Sequence, residues 1–216
     1  TGLPAPVYNL NKILQIIVSL VFITGCARSV TVLSDFPEPV VEPLPLAIGI
    51  RYPAELAEYV HVEDPMMDAE WTIRLGEANM KMFRVLFASM FDEIVELEGT
   101  AAGEGAEGVD AIIEPRLEEL EFTVPRQSGN DQYTVWLRYN LRILSPEGKL
   151  IGDWRITAYG QEDEGSMGTG AEDSMKEAAI TALRDVAASI IIGFTSAPGV
   201  QTLLPPKQAP KNDQAG

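Results

Sequence analysis

The chain has 216 residues, with 16 basic against 32 acidic side chains, a formal charge of −16 and a single cysteine. Such a charge repels phosphate backbones and anionic headgroups, which argues against nucleic-acid binding and against a polybasic membrane patch. One thiol excludes an intramolecular disulfide, and the length suits one domain plus tethers.

Residues 13–24 form an apolar run behind one basic residue, Lys12, with no acidic residue upstream. The run has the length of a signal-peptide apolar core and falls short of the about 20 residues that a spanning helix needs. It ends in Ile23-Thr24-Gly25-Cys26, which resembles the lipobox of bacterial lipoproteins. The resemblance covers the first 26 residues. It implies that the thiol of Cys26 carries a diacylglycerol, that cleavage falls just before it, and that the new amino terminus is acylated. No other cofactor is expected. Residues 1–25 would then be a signal peptide. Losing them removes only Lys12 among the charges, which leaves 15 basic and 32 acidic residues and a formal charge of −17. Acyl chains must therefore supply the membrane attachment. At about 0.8 kcal/mol per buried methylene, one chain binds marginally and two or more anchor stably. In lipoproteins of enteric type an acidic residue after the cysteine favours inner-membrane retention. Ala27 therefore implies a periplasm-facing outer-membrane location.

Residues 26–45 follow as lipidated cysteine and tether. The stretch 33–45 holds four prolines, which fix φ and lack an amide hydrogen, so it is expected to be extended and semi-rigid. It serves either as a spacer lifting the domain off the membrane or as a leader crossing the domain's surface. The domain itself is expected over 46–195. Residues 46–52 read as a central strand closed by Pro53, and 70–75 as a short strand with Trp71, Ile73 and Leu75 on one face. From 77 to 97 the apolar period becomes helical: Met80, Phe83, Phe87, Met90, Phe91, Ile94 and Leu97 share a stripe, with Asn79 as a candidate cap. Residues 98–108 are a glycine-rich loop. A strand from 109 to 124 contains Pro115, which predicts a bulge there.

The clearest β signal is the alternation of Tyr133, Val135, Leu137, Tyr139, Leu141 and Ile143 with polar residues and Trp136. Ser145-Pro146-Glu147-Gly148 is turn chemistry, and 150–159 returns as the second arm of a hairpin. After the acidic glycine-rich loop 160–173, residues 174–194 predict a helix whose alanines imply close packing on the sheet. Residues 196–216 are expected to be a disordered tail. The sum is an α+β fold: a mostly antiparallel sheet of about 4–5 strands with two long helices packed on one face. This element order looks like that of small α+β lipoprotein domains, among them the lipopolysaccharide-transport lipoprotein and the auxiliary lipoproteins of lipid-transport ABC systems.

Chemistry-bearing constellations are sparse. The single histidine, His61, stands in an irregular acidic stretch, and no nucleophile-elbow or Cys–His arrangement accompanies it. Gly165, Gly168 and Gly170 precede a helix, but the loop's acids repel phosphate and it lacks lysine. Glu162, Asp163, Glu164 and Asp173 are oxygen ligands of the kind calcium takes, at a spacing that fits no EF-hand. No catalytic residue and no metal site is expected. Interaction surface remains, on the outward face of the hairpin (Trp136, Arg138, Arg142, Trp154, Arg155) and the acidic edge of residues 114–121. Arginine and tryptophan are the types enriched at binding hot spots. Trp136 and Trp154 are expected to share a face with Arg138 and Arg155. The reading is a non-enzymatic, membrane-anchored accessory or assembly factor that binds a protein partner in the cell envelope. The alternative is a lipid- or glycolipid-binding accessory of an envelope transport system, with the Met- and Phe-rich first helix as a cavity wall. Oligomeric state is not legible.

Overall fold

The computed structural model describes residues 27–65, 68–99, 105–165 and 170–204. In chain order these form β1 (Ala27–Thr31), β2 (Leu44–Ile50), α1 (Ala54–Ala57), β3 (Val60–Glu63), β4 (Glu70–Arg74), α2 (Gly76–Met90) and β5 (Phe91–Glu96). There follow β6 (Ala111–Thr123), α3 (Pro125–Ser128), β7 (Gln132–Leu144), β8 (Leu150–Asp163) and α4 (Ala171–Gly193). The fold is α+β, with two mixed sheets and two long helices.

The alternation in β7 organises the larger sheet, whose order is β5-β2-β6-β7-β8. β7 pairs antiparallel with β6 and β8 along nearly its whole length. Its odd-numbered residues from Tyr133 to Ile143 are buried beneath both long helices, as the period of two requires. Towards the other edge the sheet turns parallel: β2 pairs parallel with both β5 and β6. Hydrophobic patterning fixes faces but not partners, so these parallel pairings are not visible in the pattern alone. A second sheet, β1-β4-β3, lies against the inner face of the first. Trp71 on β4 packs edge-on against Phe122 and Tyr133, at ring-centroid distances of 6.1 and 6.0 Å.

Several expectations are corrected. The first long helix ends at Met90 rather than 97, and Phe91 turns extended (φ −130°, ψ 150°) to begin β5. Pairing with β2 overrides the helical stripe there. Asn79 is not a cap: it is buried in the first turn, donates from Nδ2 to Leu56 O at 3.2 Å and accepts from the Tyr139 hydroxyl at 2.5 Å. The bulge in β6 falls between Leu117 and Glu119, not at Pro115, which pairs in register with Leu141. The pairing of β6 with β2 ends at Ile113, so the missing amide hydrogen of Pro115 leaves no ladder bond unmade. The ordered domain also reaches further at both ends than 46–195. β1 pairs with β4 from Ala27 onward, and Ala197 and Val200 are buried in the core with Leu203 and Leu204 packed beside them. Residues 205–216 lie outside the described residues.

The proline-rich stretch crosses the surface of the domain: Phe36, Val41 and Leu44 pack against the core, and Lys81 of α2 holds Asp35 in an ion pair. The stretch Ala171–Ser196 is long and apolar enough to cross a membrane, but here its inner face is core, packed on β7 and β8. Gly160 on β8 permits that packing. A Cβ there would lie 2.1 Å from Ala178 O and 2.4 Å from Ala182 N, so only hydrogen fits between strand and helix.

Candidate functional site: the outward face of the long hairpin

Because both helices cover one face of the large sheet, its other face carries the polar half of each strand. Register identifies that half. Glu114 lies opposite Arg142, Arg116 opposite Asn140, Glu119 opposite Arg138, and Glu121 opposite Trp136. On the β8 side, Trp136 faces Tyr159, Arg138 faces Thr157, Asn140 faces Arg155 and Arg142 faces Asp153. Directly opposed residues share a face, so Trp136, Arg138, Arg142 and Arg155 are brought together as the sequence led one to expect.

Trp154 is not among them. It lies opposite Leu141, on the helix side, and a Cβ on Gly193 of α4 would sit 2.7 Å from its indole ring. Trp154 and Arg155 are consecutive in one strand and so point to opposite faces. The aromatic partner of Trp136 is instead Tyr159, with centroids 5.8 Å apart and rings tilted by 51°. Tyr159 is 43 % exposed. Residues 114–121 are likewise not simply an acidic edge: Glu114, Glu118 and Glu119 are paired with arginines of the neighbouring strands, while Glu121 lies opposite Trp136.

Two charge clusters result. In the first, Glu118, projected by the bulge, accepts from Asn140 Nδ2 at 3.1 Å and from Arg155 Nε at 3.2 Å, with Arg138 at 3.5 Å. The amide hydrogen bond from Asn140 is the largest cause that holds the Glu118 carboxyl below the usual glutamate range; desolvation opposes it, and the charge and hydrogen bond of Arg155 and the charge of Arg138 add to the lowering. Arg138 also pairs with Glu119. In the second cluster, the nearly buried Glu114 accepts from Arg116 Nε at 2.7 Å and Arg142 Nη1 at 2.8 Å, with Arg51 Nη1 at 3.9 Å. Arg51, just past β2, is itself buried. Neither Arg51 nor Tyr159 was singled out by sequence reasoning. Their signal was the strand register, which composition does not carry.

Between the first cluster and the aromatic pair lies an open groove of ≈ 340 Å³ lined by Glu119, Glu121, Thr123, Trp136, Arg138 and Thr157. At its far end the same face is apolar: Ile112 and Leu144 form a small cluster with Leu97, Ala106 and Val109.

The remaining candidates are dispersed. His61 Nε2 lies 2.9 Å from Glu63 Oε2, and its ring stands edge-on to Phe122 at 5.8 Å. Asp163 accepts from Gln132 at 3.0 Å. Among the described residues, no group of three or more His, Cys, Asp or Glu side chains is placed to hold a metal ion. The Met- and Phe-rich stripe of α2 is core: Phe83 stacks on Phe87 at 5.4 Å and meets Tyr139 edge-on at 5.6 Å. Cys26 lies outside the described residues, one position before β1.

No known protein family matches the sequence, and no curated protein does. Solved structures with a similar arrangement include a Xanthomonas campestris protein of the DUF330 family (10 % identity, TM-score 0.49), covering 79 % of this chain and 93 % of that one. A minor lipoprotein from Acinetobacter baumannii (9 % identity, TM-score 0.44) covers 72 % of this chain and 94 % of that one. An uncharacterized lipoprotein B from Nitrosomonas europaea (18 % identity, TM-score 0.40) covers 74 % and 90 %. Two of these three are thus described as bacterial lipoproteins; at these scores and identities they assign no residue role to this chain.

Proposed function

We propose that the protein is a lipid-anchored accessory of the bacterial cell envelope, held to the outer membrane through acylated Cys26, whose outward β6–β7–β8 face binds a protein partner. One observation carries the binding half of this reading. The polar face of the sheet presents the Trp136–Tyr159 pair beside Arg138 and a ready groove, with its charges already fixed by strand-to-strand pairing. A pre-ordered tryptophan and arginine lose little side-chain entropy on docking, which is what makes such residues anchors of interfaces. The anchoring half rests on the Ile23-Thr24-Gly25-Cys26 motif. The expected role is non-enzymatic.

The test is crosslinking of the full chain in native envelopes, followed by identification of the adduct, with Trp136→Ala and Arg138→Glu as variants. Both variants should lose one and the same protein adduct while remaining in the membrane fraction, whereas Cys26→Ser should accumulate as unacylated precursor. An adduct pattern unchanged by both substitutions would remove the face from consideration.

A further inference from the structure

We propose that the groove beneath the proline-rich stretch binds a single acyl chain bearing an anionic head, at a site separate from the hairpin face. Residues 32–43 lie across α2 and α4 as a strap, packed down through Phe36 and Val41 and tied to α2 by the Asp35–Lys81 ion pair. Between strap and helices runs a groove of ≈ 290 Å³, walled by Phe36, Pro37 and Pro39 of the strap, Val85 of α2, and Ala188 and Ile191 of α4. That volume is at the small end of the about 300–1,000 Å³ typical of ligand pockets. Ile191 also lines a second hollow of ≈ 100 Å³ with Val41, Leu44, Met90 and Phe194, and with Glu42 and Thr195 as its polar members, so a mostly apolar track continues past the first groove. Val40 and Ile192, next in sequence to the lining residues Pro39 and Ile191, are exposed.

One feature selects an acyl chain over an added strand. The strap wall is proline at positions 37 and 39, which have no amide hydrogen, so an added strand would lack donors on that side. A flexible hydrocarbon needs none.

The head is selected by charge. Every other arginine of this acidic chain has a hydrogen-bond, ion-pair or ring partner, whereas Arg184, which lines the groove and is exposed, has none among the described residues. A free guanidinium at the end of an apolar groove offers the bidentate geometry that a carboxylate or phosphate takes. Glu38 is the one acidic residue of the lining and is exposed, so it opposes an anion there.

The test uses the purified full chain and a diazirine-bearing palmitic acid, with the labelled peptides mapped by mass spectrometry. Adducts are expected on residues 36–41, 82–86 and 187–191. Ala188→Trp, on the exposed surface of α4, should block labelling by filling the groove. Arg184→Gln should raise the half-saturating concentration about fivefold, Glu38→Gln should lower it, and neither should alter labelling by the methyl ester. Adducts confined to other regions, or labelling indifferent to Ala188→Trp, would overturn the site. Equal response of acid and ester to Arg184→Gln would overturn the anionic head. A photoreactive benzoylphenylalanine at position 188 that captures protein rather than lipid in native envelopes would also overturn the proposal.

Discussion

Replacing Glu114 by Gln removes the negative charge around which Arg51, Arg116 and Arg142 are arranged, and the cost can be bounded from the geometry. The Glu114 and Arg51 side chains are 7 % and 8 % exposed and 3.9 Å apart, so water screens this pair little. At an effective dielectric constant near 20, a unit pair at about 4 Å is worth about 4 kcal/mol before desolvation. Arg116 and Arg142 lie closer, but they are 50 % and 33 % exposed, and their share must be discounted for solvent. Removing one partner of a buried pair typically costs about 3–5 kcal/mol, since the other charge stays buried. Gln keeps an acceptor oxygen for one arginine, which brings the expected loss to about 2–4 kcal/mol. For a domain of this size that corresponds to a Tm lower by roughly 5–15 °C. Urea unfolding followed in parallel by tryptophan fluorescence and circular dichroism measures it. Combining Glu114→Gln with Arg142→Met should show a coupling of about 1 kcal/mol. A Glu114→Gln variant within about 0.5 kcal/mol of the parent would mean that the cluster is solvent-screened, and the account of this face as electrostatically pre-ordered would fall.

Gly160→Ala places a methyl within 2.1 Å of helix backbone that cannot rotate away, so α4 must lift from β8. The expected loss is about 2–3 kcal/mol in the same denaturation assay, and an unchanged midpoint would contradict the close approach. For Glu118 the sign follows from a carboxyl pKa held below the usual glutamate range in the folded chain. Its contribution is complete above the ordinary value of 4.5 and is lost as pH falls through the lower, folded value. Glu118→Gln should therefore lower stability at neutral pH and flatten the acid limb of the stability curve, the two curves converging as pH falls below the folded value. A direct titration by side-chain NMR that finds Glu118 at or above its ordinary value would refute the pairing with Asn140, Arg155 and Arg138.

What the sequence discloses and what it hides divide along a physical line. The alternation over 132–144 and the Ser145–Gly148 turn are local signals, and both arms of the hairpin stand where they indicate. The helical stripe over 77–90 is local too. Its apparent continuation through Phe91, Ile94 and Leu97 fits either period over so short a span, and the choice is made by a partner strand more than 40 residues away in sequence. β1 is hidden for the same reason. ARSVT is short and mostly polar, and it becomes a strand because β4 supplies a parallel edge for it. At the candidate site, the types of residue were legible and their grouping only in part. The opposite orientation of Trp154 and Arg155 was already implied by their adjacency. Tyr159 as the companion of Trp136, and the gathering of Arg51, Arg116 and Arg142 on Glu114, required the register across three strands.

The first strand begins at Ala27, the residue after Cys26, and is hydrogen-bonded into a sheet from its first position. An acyl group on Cys26 would thus be one peptide unit, at most about 3.8 Å between α-carbons, from a rigid body. Such a body would sit on the bilayer like a stud rather than fly from it on a line, with less freedom to tilt than a tethered one. The rim nearest that point carries Glu63, Glu70 and Asp68, the last paired with Arg28, so its net negative charge would oppose anionic lipids while the acyl chains draw it in. A partner approaching from the opposite membrane would then meet a surface of fixed height and heading.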